Sequence, residues 1–86
     1  MSDKRTFYLY TIPECPFCHD AKVLLTEREH KFITMELSSQ NATLKRLKEE
    51  MGWKTVPMVF ELQDRDHKFI GGYTDLVEYL GEEDSE

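Results

Sequence analysis

Positive charge is scarce in this 86-residue chain, cysteine is scarcer, and long apolar runs are missing. Eleven Lys and Arg stand against seventeen Asp and Glu, a formal net charge of −6. Nucleic acid and anionic membrane both require concentrated positive charge, so the balance excludes them as partners. No stretch approaches the roughly 20 apolar residues of a membrane-spanning helix. The opening "MSDKRTFYLYTIPEC" carries no apolar run of the leader type. The expected compartment is therefore the cytoplasm, where a standing structural disulfide is disfavoured. Four glycines and three prolines are too few for a flexible or low-complexity linker, and no internal repeat is visible. Residues 1–86 read as one small domain, with 82–86 as a frayed acidic tail.

Hydrophobic residues make up 40% of the chain and include five Phe and four Tyr, enough for one core in a domain of marginal size. "TFYLYT" (6–11) reads as a buried strand. Pro16 suits a first helical position, where its missing N–H costs nothing, and apolar residues at helical spacing predict a helix over 16–29. "KFITMEL" (31–37) is a second strand. "SSQNATLKRLKEEMGW" offers N-cap residues, then Leu44, Leu47 and Met51 on one helical face, with Gly52 as the stop. "PMVFEL" and "HKFI" read as a hairpin through "QDRD", and "GGYTDLVEYLG" as a turn and a last helix capped by Thr74. The order β-α-β-α-β-β-α implies a right-handed crossover, then antiparallel strands. The expected class is α/β: a mixed four-stranded sheet flanked by helices on both faces.

The only two cysteines, Cys15 and Cys18, stand together in "ECPFCHD". Cys-x-x-Cys-His matches the attachment pattern of c-type haem, two thiols and an imidazole are most of a zinc site, and Cys-x-x-Cys alone is a redox pair. A haem needs an apolar pocket that a small self-filled domain does not leave. Zinc needs a second ligand pair, and the other histidines, His30 and His67, fall on separate elements. No metal is expected, and His19 reads as a solvent-facing histidine of the helix. Redox chemistry suits the location better. Cys15 falls at the helix N-terminus and Cys18 in the first turn, where unpaired N–H groups and the helix dipole favour a thiolate. The outer Cys15 is expected to attack disulfides, and Cys18, shielded by Phe17 and the helix backbone, to resolve the intermediate.

Beyond the cysteines, the chain resembles the glutaredoxins over about residues 5–81. Cys15-Pro16-Phe17-Cys18 is similar to that family's Cys-Pro-Tyr-Cys, with Phe17 in place of Tyr and Pro16 retained. "KTVP" (54–57) looks like the family's Thr-Val-Pro, and "GGYTD" (71–75) resembles its Gly-Gly-x-Ser/Thr-Asp. The resemblance implies a thioredoxin fold, a cis bond before Pro57, and glutathione as reductant and co-substrate. It implies that Thr55 and Val56 meet the tripeptide through backbone groups, as in strand addition. It further implies that Gly72, Tyr73 (through its backbone), Thr74 and Asp75 hold the γ-glutamyl end. A helix N-terminus suits that end's carboxylate and Asp75 its ammonium. One departure stands out: a lysine common in the family three positions before the first cysteine is Ile12 here, and Glu14 adjoins Cys15. Lys54 is the substitute expected at the glycine carboxylate, and Lys22 a further source of positive charge.

The expected activity is glutathione-dependent reduction of protein disulfides and glutathione mixed disulfides by a monomer. Ribonucleotide reductase is among the protein substrates considered. Two rivals stay open: a redoxin recharged by thioredoxin reductase, and a glutathione-ligated iron–sulfur carrier. "GGYTD" speaks against the first and Pro16 against the second.

Overall fold

Alternation in "TFYLYT" sets the two faces of the sheet. In the computed structural model, which describes residues 5–83, this run is strand β1 (Thr6–Thr11). Phe7, Leu9 and Thr11 are buried on one face, and Tyr8 and Tyr10 pack on the other. The remaining elements are α1 (Pro16–Glu27), β2 (Lys31–Glu36), α2 (Ala42–Met51), β3 (Met58–Gln63), β4 (Asp66–Gly71) and α3 (Tyr73–Glu83). The strand order is β2-β1-β3-β4, with β1 and β2 parallel and β3 antiparallel to both β1 and β4. This is the expected thioredoxin fold.

Two clusters hold the layers together. On one face Phe7, Leu9 and Val59 meet Ala21 and Leu25 of α1 and Leu76 and Leu80 of α3, all fully buried. Each large apolar side chain so buried contributes about 1.5–3 kcal/mol relative to exposure. That seam fixes the N-terminal ends of α1 and α3 relative to the sheet, which is what the candidate site requires. On the other face Leu44 of α2 packs on Met58 and Phe60, with Leu47, Met51, Trp53, Tyr8 and Tyr10 around them. Burial, and then the neighbouring Tyr8, raise the Tyr10 phenol above its ordinary value, so it stays neutral at physiological pH. Glu61, 7% exposed, is paired by the Tyr79 hydroxyl and the Arg5 side chain, so its charge is not left bare in the interior.

Strand ends differ from the sequence reading by at most one residue, and three helix boundaries differ as well. α1 stops at Glu27 because Glu29 takes a left-handed conformation (φ 63°). The Glu29 N–H donates to the Thr26 carbonyl and the His30 N–H to the Leu25 carbonyl, a Schellman ending built without glycine. Residue type could not announce it. α2 ends the same way on Gly52 (φ 63°), where the Gly52 N–H donates to Glu49 and the Trp53 N–H to Lys48. Its start is capped by Asn41, whose Oδ1 accepts from Thr43 (2.8 Å) and Leu44 (3.2 Å). α3 begins at Tyr73, so Thr74 lies inside the first turn and is not the cap. Gly72 takes that role, its carbonyl accepting from Leu76. α3 runs to Glu83, two residues into the segment expected to fray, and 84–86 lie outside the described residues.

Candidate functional site: a dithiol beside a cleft

At the head of α1, Cys15 is the N-cap in extended conformation (φ −120°, ψ 102°), and Pro16 follows as the first helical residue. The chain enters through Glu14 at φ 56°, a left-handed position uncommon for a side-chain-bearing residue. Cys15 Sγ accepts the Cys18 N–H at 3.1 Å, as a capping hydroxyl would. The two cysteines are joined as a disulfide, so the structure describes the oxidised state. They are unequal. Cys18 is 2% exposed because it shares the inward face of α1 with Ala21 and Leu25, whereas Cys15 is partly open to solvent. Phe17, expected to shield the Cys18 sulfur, points outward instead, 59% exposed, and stacks on Tyr73 with centroids 6.1 Å apart. His19 and Glu14 are exposed, and Lys22 is half-buried. Ile12 joins the α2-side cluster, so that position is committed to packing.

The Phe17–Tyr73 stack ties the redox loop to an open cleft of about 180 Å³. One wall is Trp53, Thr55 and Val56, and the other is Gly72, Tyr73, Thr74 and Asp75. The Val56–Pro57 bond is cis, as the sequence resemblance implied. Pro57 itself is buried behind the cleft. The walls approach closely at Gly72, where an added Cβ would stand 3.7 Å from the Pro57 carbonyl, Thr55 Oγ1 and Trp53 Cζ2. Asp75 is anchored: its Oδ2 accepts the Gly72 N–H at 3.0 Å, the return bond of a capping box with glycine at the cap.

The fold thus gathers Phe17, Thr55, Val56 and Gly72 through Asp75 around one cleft and leaves Lys54 out of its lining. Lys54 borders a neighbouring groove on the other side of Trp53. Trp53 is the wall residue that sequence reasoning missed. It is held edge-on against Phe69 at 5.2 Å, and the only signal for it was a large aromatic directly after the helix stop. Among the described residues, no group of three His, Cys, Asp or Glu converges as a metal site, and no helix is long and apolar enough to cross a membrane.

Gly71 is a second residue whose part emerges only in three dimensions. It sits at φ 129°, and a Cβ there would lie 2.6 Å from Asp75 Oδ2 and 2.7 Å from its Cγ. Gly71→Ala is therefore expected to destabilise the protein by about 1–3 kcal/mol through overpacking and backbone strain. Urea denaturation reads this as a lowered midpoint. An unchanged midpoint would mean that Asp75 can swing clear at no cost.

The glutaredoxin family profile matches residues 8–67, which span the redox loop, Trp53 and the cis bond. The chain belongs to the glutaredoxin family. It is 32% identical to a probable glutaredoxin of Acanthamoeba polyphaga mimivirus, over 92% of this chain and 81% of that one. It is 34% identical to glutaredoxin 3 of Escherichia coli K12, over 79% and 77% of the two chains. The crystal structure of glutaredoxin 1 from Francisella tularensis complexed with cacodylate superposes with a TM-score of 0.72. That match has 26% identity and covers 90% of this chain and 93% of the other. Glutaredoxin membership and the Cys15–Cys18 pair make this a thiol–disulfide oxidoreductase of the dithiol type.

Proposed function

We propose that this glutaredoxin reduces protein disulfides and glutathione mixed disulfides at the expense of glutathione, in the cytoplasm. The observation that carries the reading is the cleft joined to the redox loop by the Phe17–Tyr73 stack. One side brings Thr55 and Val56, just before the cis bond, to the cleft, and the other a helix N-terminus with an anchored carboxylate. A γ-glutamyl tripeptide needs those groups: backbone partners along its length, N–H groups for one carboxylate and an acid for its ammonium.

In the forward direction the Cys15 thiolate attacks one sulfur of the substrate disulfide. A Cys15–substrate bond forms, the substrate S–S bond breaks, and the departing thiolate takes a proton from solvent. Cys18 then attacks the Cys15 sulfur. The internal disulfide forms, the second substrate thiol leaves, and the substrate has gained two electrons and two protons. One glutathione thiolate reopens the internal disulfide as a Cys15–glutathione adduct, and a second glutathione removes it as glutathione disulfide. On a glutathione mixed disulfide, Cys15 takes the glutathionyl group directly and Cys18 is not needed.

A coupled assay tests the reading. Turnover is expected with glutathione plus its reductase and not with thioredoxin reductase, and the reverse result would make this a thioredoxin-reductase-dependent redoxin. A visible absorption band in the freshly purified protein would favour the iron–sulfur carrier. Lys54 is assigned here to the glycine carboxylate, reaching past Trp53. Lys54→Ala is expected to weaken glutathione about three-fold and flatten the salt dependence of KM, because one screened ion pair is lost. Equal salt dependence in the two proteins would return Lys54 to solvent.

A further inference from the structure

Behind Trp53, the cleft borders a groove of about 420 Å³ lined by Lys45, Lys48, Glu49, Gly52, Trp53 and Lys54. Three of the chain's eleven basic residues meet there against one acid, in a protein whose net charge is −6. The local sign is the opposite of the global one. The arrangement follows from the backbone. Lys45 and Lys48 are one helical turn apart on α2. The Schellman reversal at Gly52, with the Trp53 N–H donating to the Lys48 carbonyl at 2.8 Å, turns the chain back and brings Lys54 to the same groove.

Stability does not account for the grouping. Lys48, in the last turn of α2, complements the negative end of the helix dipole. That explains one lysine. Lys45 stands one turn before Glu49, a favourable pairing, but Lys54 brings a further positive charge with no second acid in the groove's lining.

We propose that this groove docks an acidic segment of the protein substrate next to the cysteine under attack, so that the enzyme selects disulfides flanked by Asp and Glu. A substrate strand paired along Thr55 and Val56 needs only a few residues, at roughly 3.3–3.6 Å each, to pass Trp53 and reach the lysines. A polypeptide suits the groove better than a small anion because lysines from two segments share it and it adjoins the cleft at Trp53. The inference rests on disulfide reduction by Cys15 and not on glutathione.

The test is single-turnover exchange without glutathione. The protein is reduced, freed of reductant, and mixed with two disulfide peptides that differ only in carrying three Asp or three Lys beside the cysteine. At 0.1 M salt the Debye length is about 10 Å, so charges far from the groove and the redox loop are largely screened. The acidic peptide is expected to react about five-fold faster, although the global charge favours the basic one. Lys45→Gln with Lys48→Gln should bring the ratio to parity, and Lys45→Glu with Lys48→Glu should invert it. Exchange with hydroxyethyl disulfide, which is uncharged and too short to reach the groove, should be unchanged in both variants. Equal rates for the two peptides, a faster basic peptide, or a ratio insensitive to both double variants would overturn the proposal. Failure of the glutathione reading would show separately, as lack of turnover with glutathione and its reductase while this exchange proceeds.

Discussion

Replacing Cys15 by serine is expected to abolish every exchange reaction of this protein, whereas replacing Cys18 is expected to leave one of two reactions running. The expectation follows from how the helix presents the two sulfurs. Cys15 caps α1 from outside its first turn and reaches solvent, and Cys18 is 2% exposed on the face shared with Ala21 and Leu25. An attacking thiolate must line up with both sulfurs of the incoming disulfide, and a sulfur inside the core cannot. The Cys18 N–H already donates to Cys15 Sγ and would stabilise the thiolate released when the disulfide is reduced. Cys15→Ser puts a far weaker nucleophile at the only accessible position, so turnover falls to background. Cys18→Ser keeps Cys15 and should still deglutathionylate, with a second glutathione removing the adduct. It should lose the reduction of protein disulfides, where the buried thiol must resolve the intermediate. Brief alkylation of the reduced protein at neutral pH, followed by mass spectrometry, should label Cys15 first. Labelling of Cys18 first, or an inactive Cys18→Ser protein with an active Cys15→Ser partner, would reverse the roles.

Asp75 is expected to give the second-largest effect, and its two tasks can be separated. Its carboxylate accepts the Gly72 N–H at the start of α3 and, in the proposed function, holds the γ-glutamyl ammonium. A charge-assisted hydrogen bond is worth about 1.5–3 kcal/mol, and about 1.4 kcal/mol is a factor of ten. Asp75→Ala should therefore raise KM for glutathionylated substrates about ten-fold or more. It should also lower stability by about 0.5–2 kcal/mol through the lost cap. Asp75→Asn keeps an oxygen for the Gly72 N–H but carries no charge. It should retain most of the stability and still show most of the KM increase. If Asn preserves KM while Ala raises it, the side chain acts only by shaping the turn and the ammonium assignment fails.

Much of this protein is legible from local pattern. Alternation in 6–11, Pro16 at a helix start and Gly52 at a helix end each depend on a few neighbours in the chain, so the order of elements along the chain, helix placement and the capping site of Cys15 follow from residue type and spacing. The inequality of the two cysteines was legible from Cys15 preceding the helix and Cys18 lying in its first turn, but the burial comes from the face Cys18 shares with Ala21 and Leu25. Pairs distant in sequence were not legible. The end of α1 turns on Glu29, a residue whose type gives no hint of a left-handed conformation. Phe17 was placed over Cys18, but the packing of α3 against α1 offers it Tyr73 instead. Gly71 reads as an ordinary turn glycine until Asp75 folds back over it, and Thr74 reads as a cap although α3 begins two residues earlier than that cap implies. Trp53 and the three lysines show the same division most clearly. Sequence spacing puts Lys45 and Lys48 on one side of a helix, but only the reversal at Gly52 stands Lys54 beside them and Trp53 between groove and cleft. A site assembled from separate elements is set by the angle at which each helix leaves its cap and by the core that holds it there. Those are properties of the packed whole.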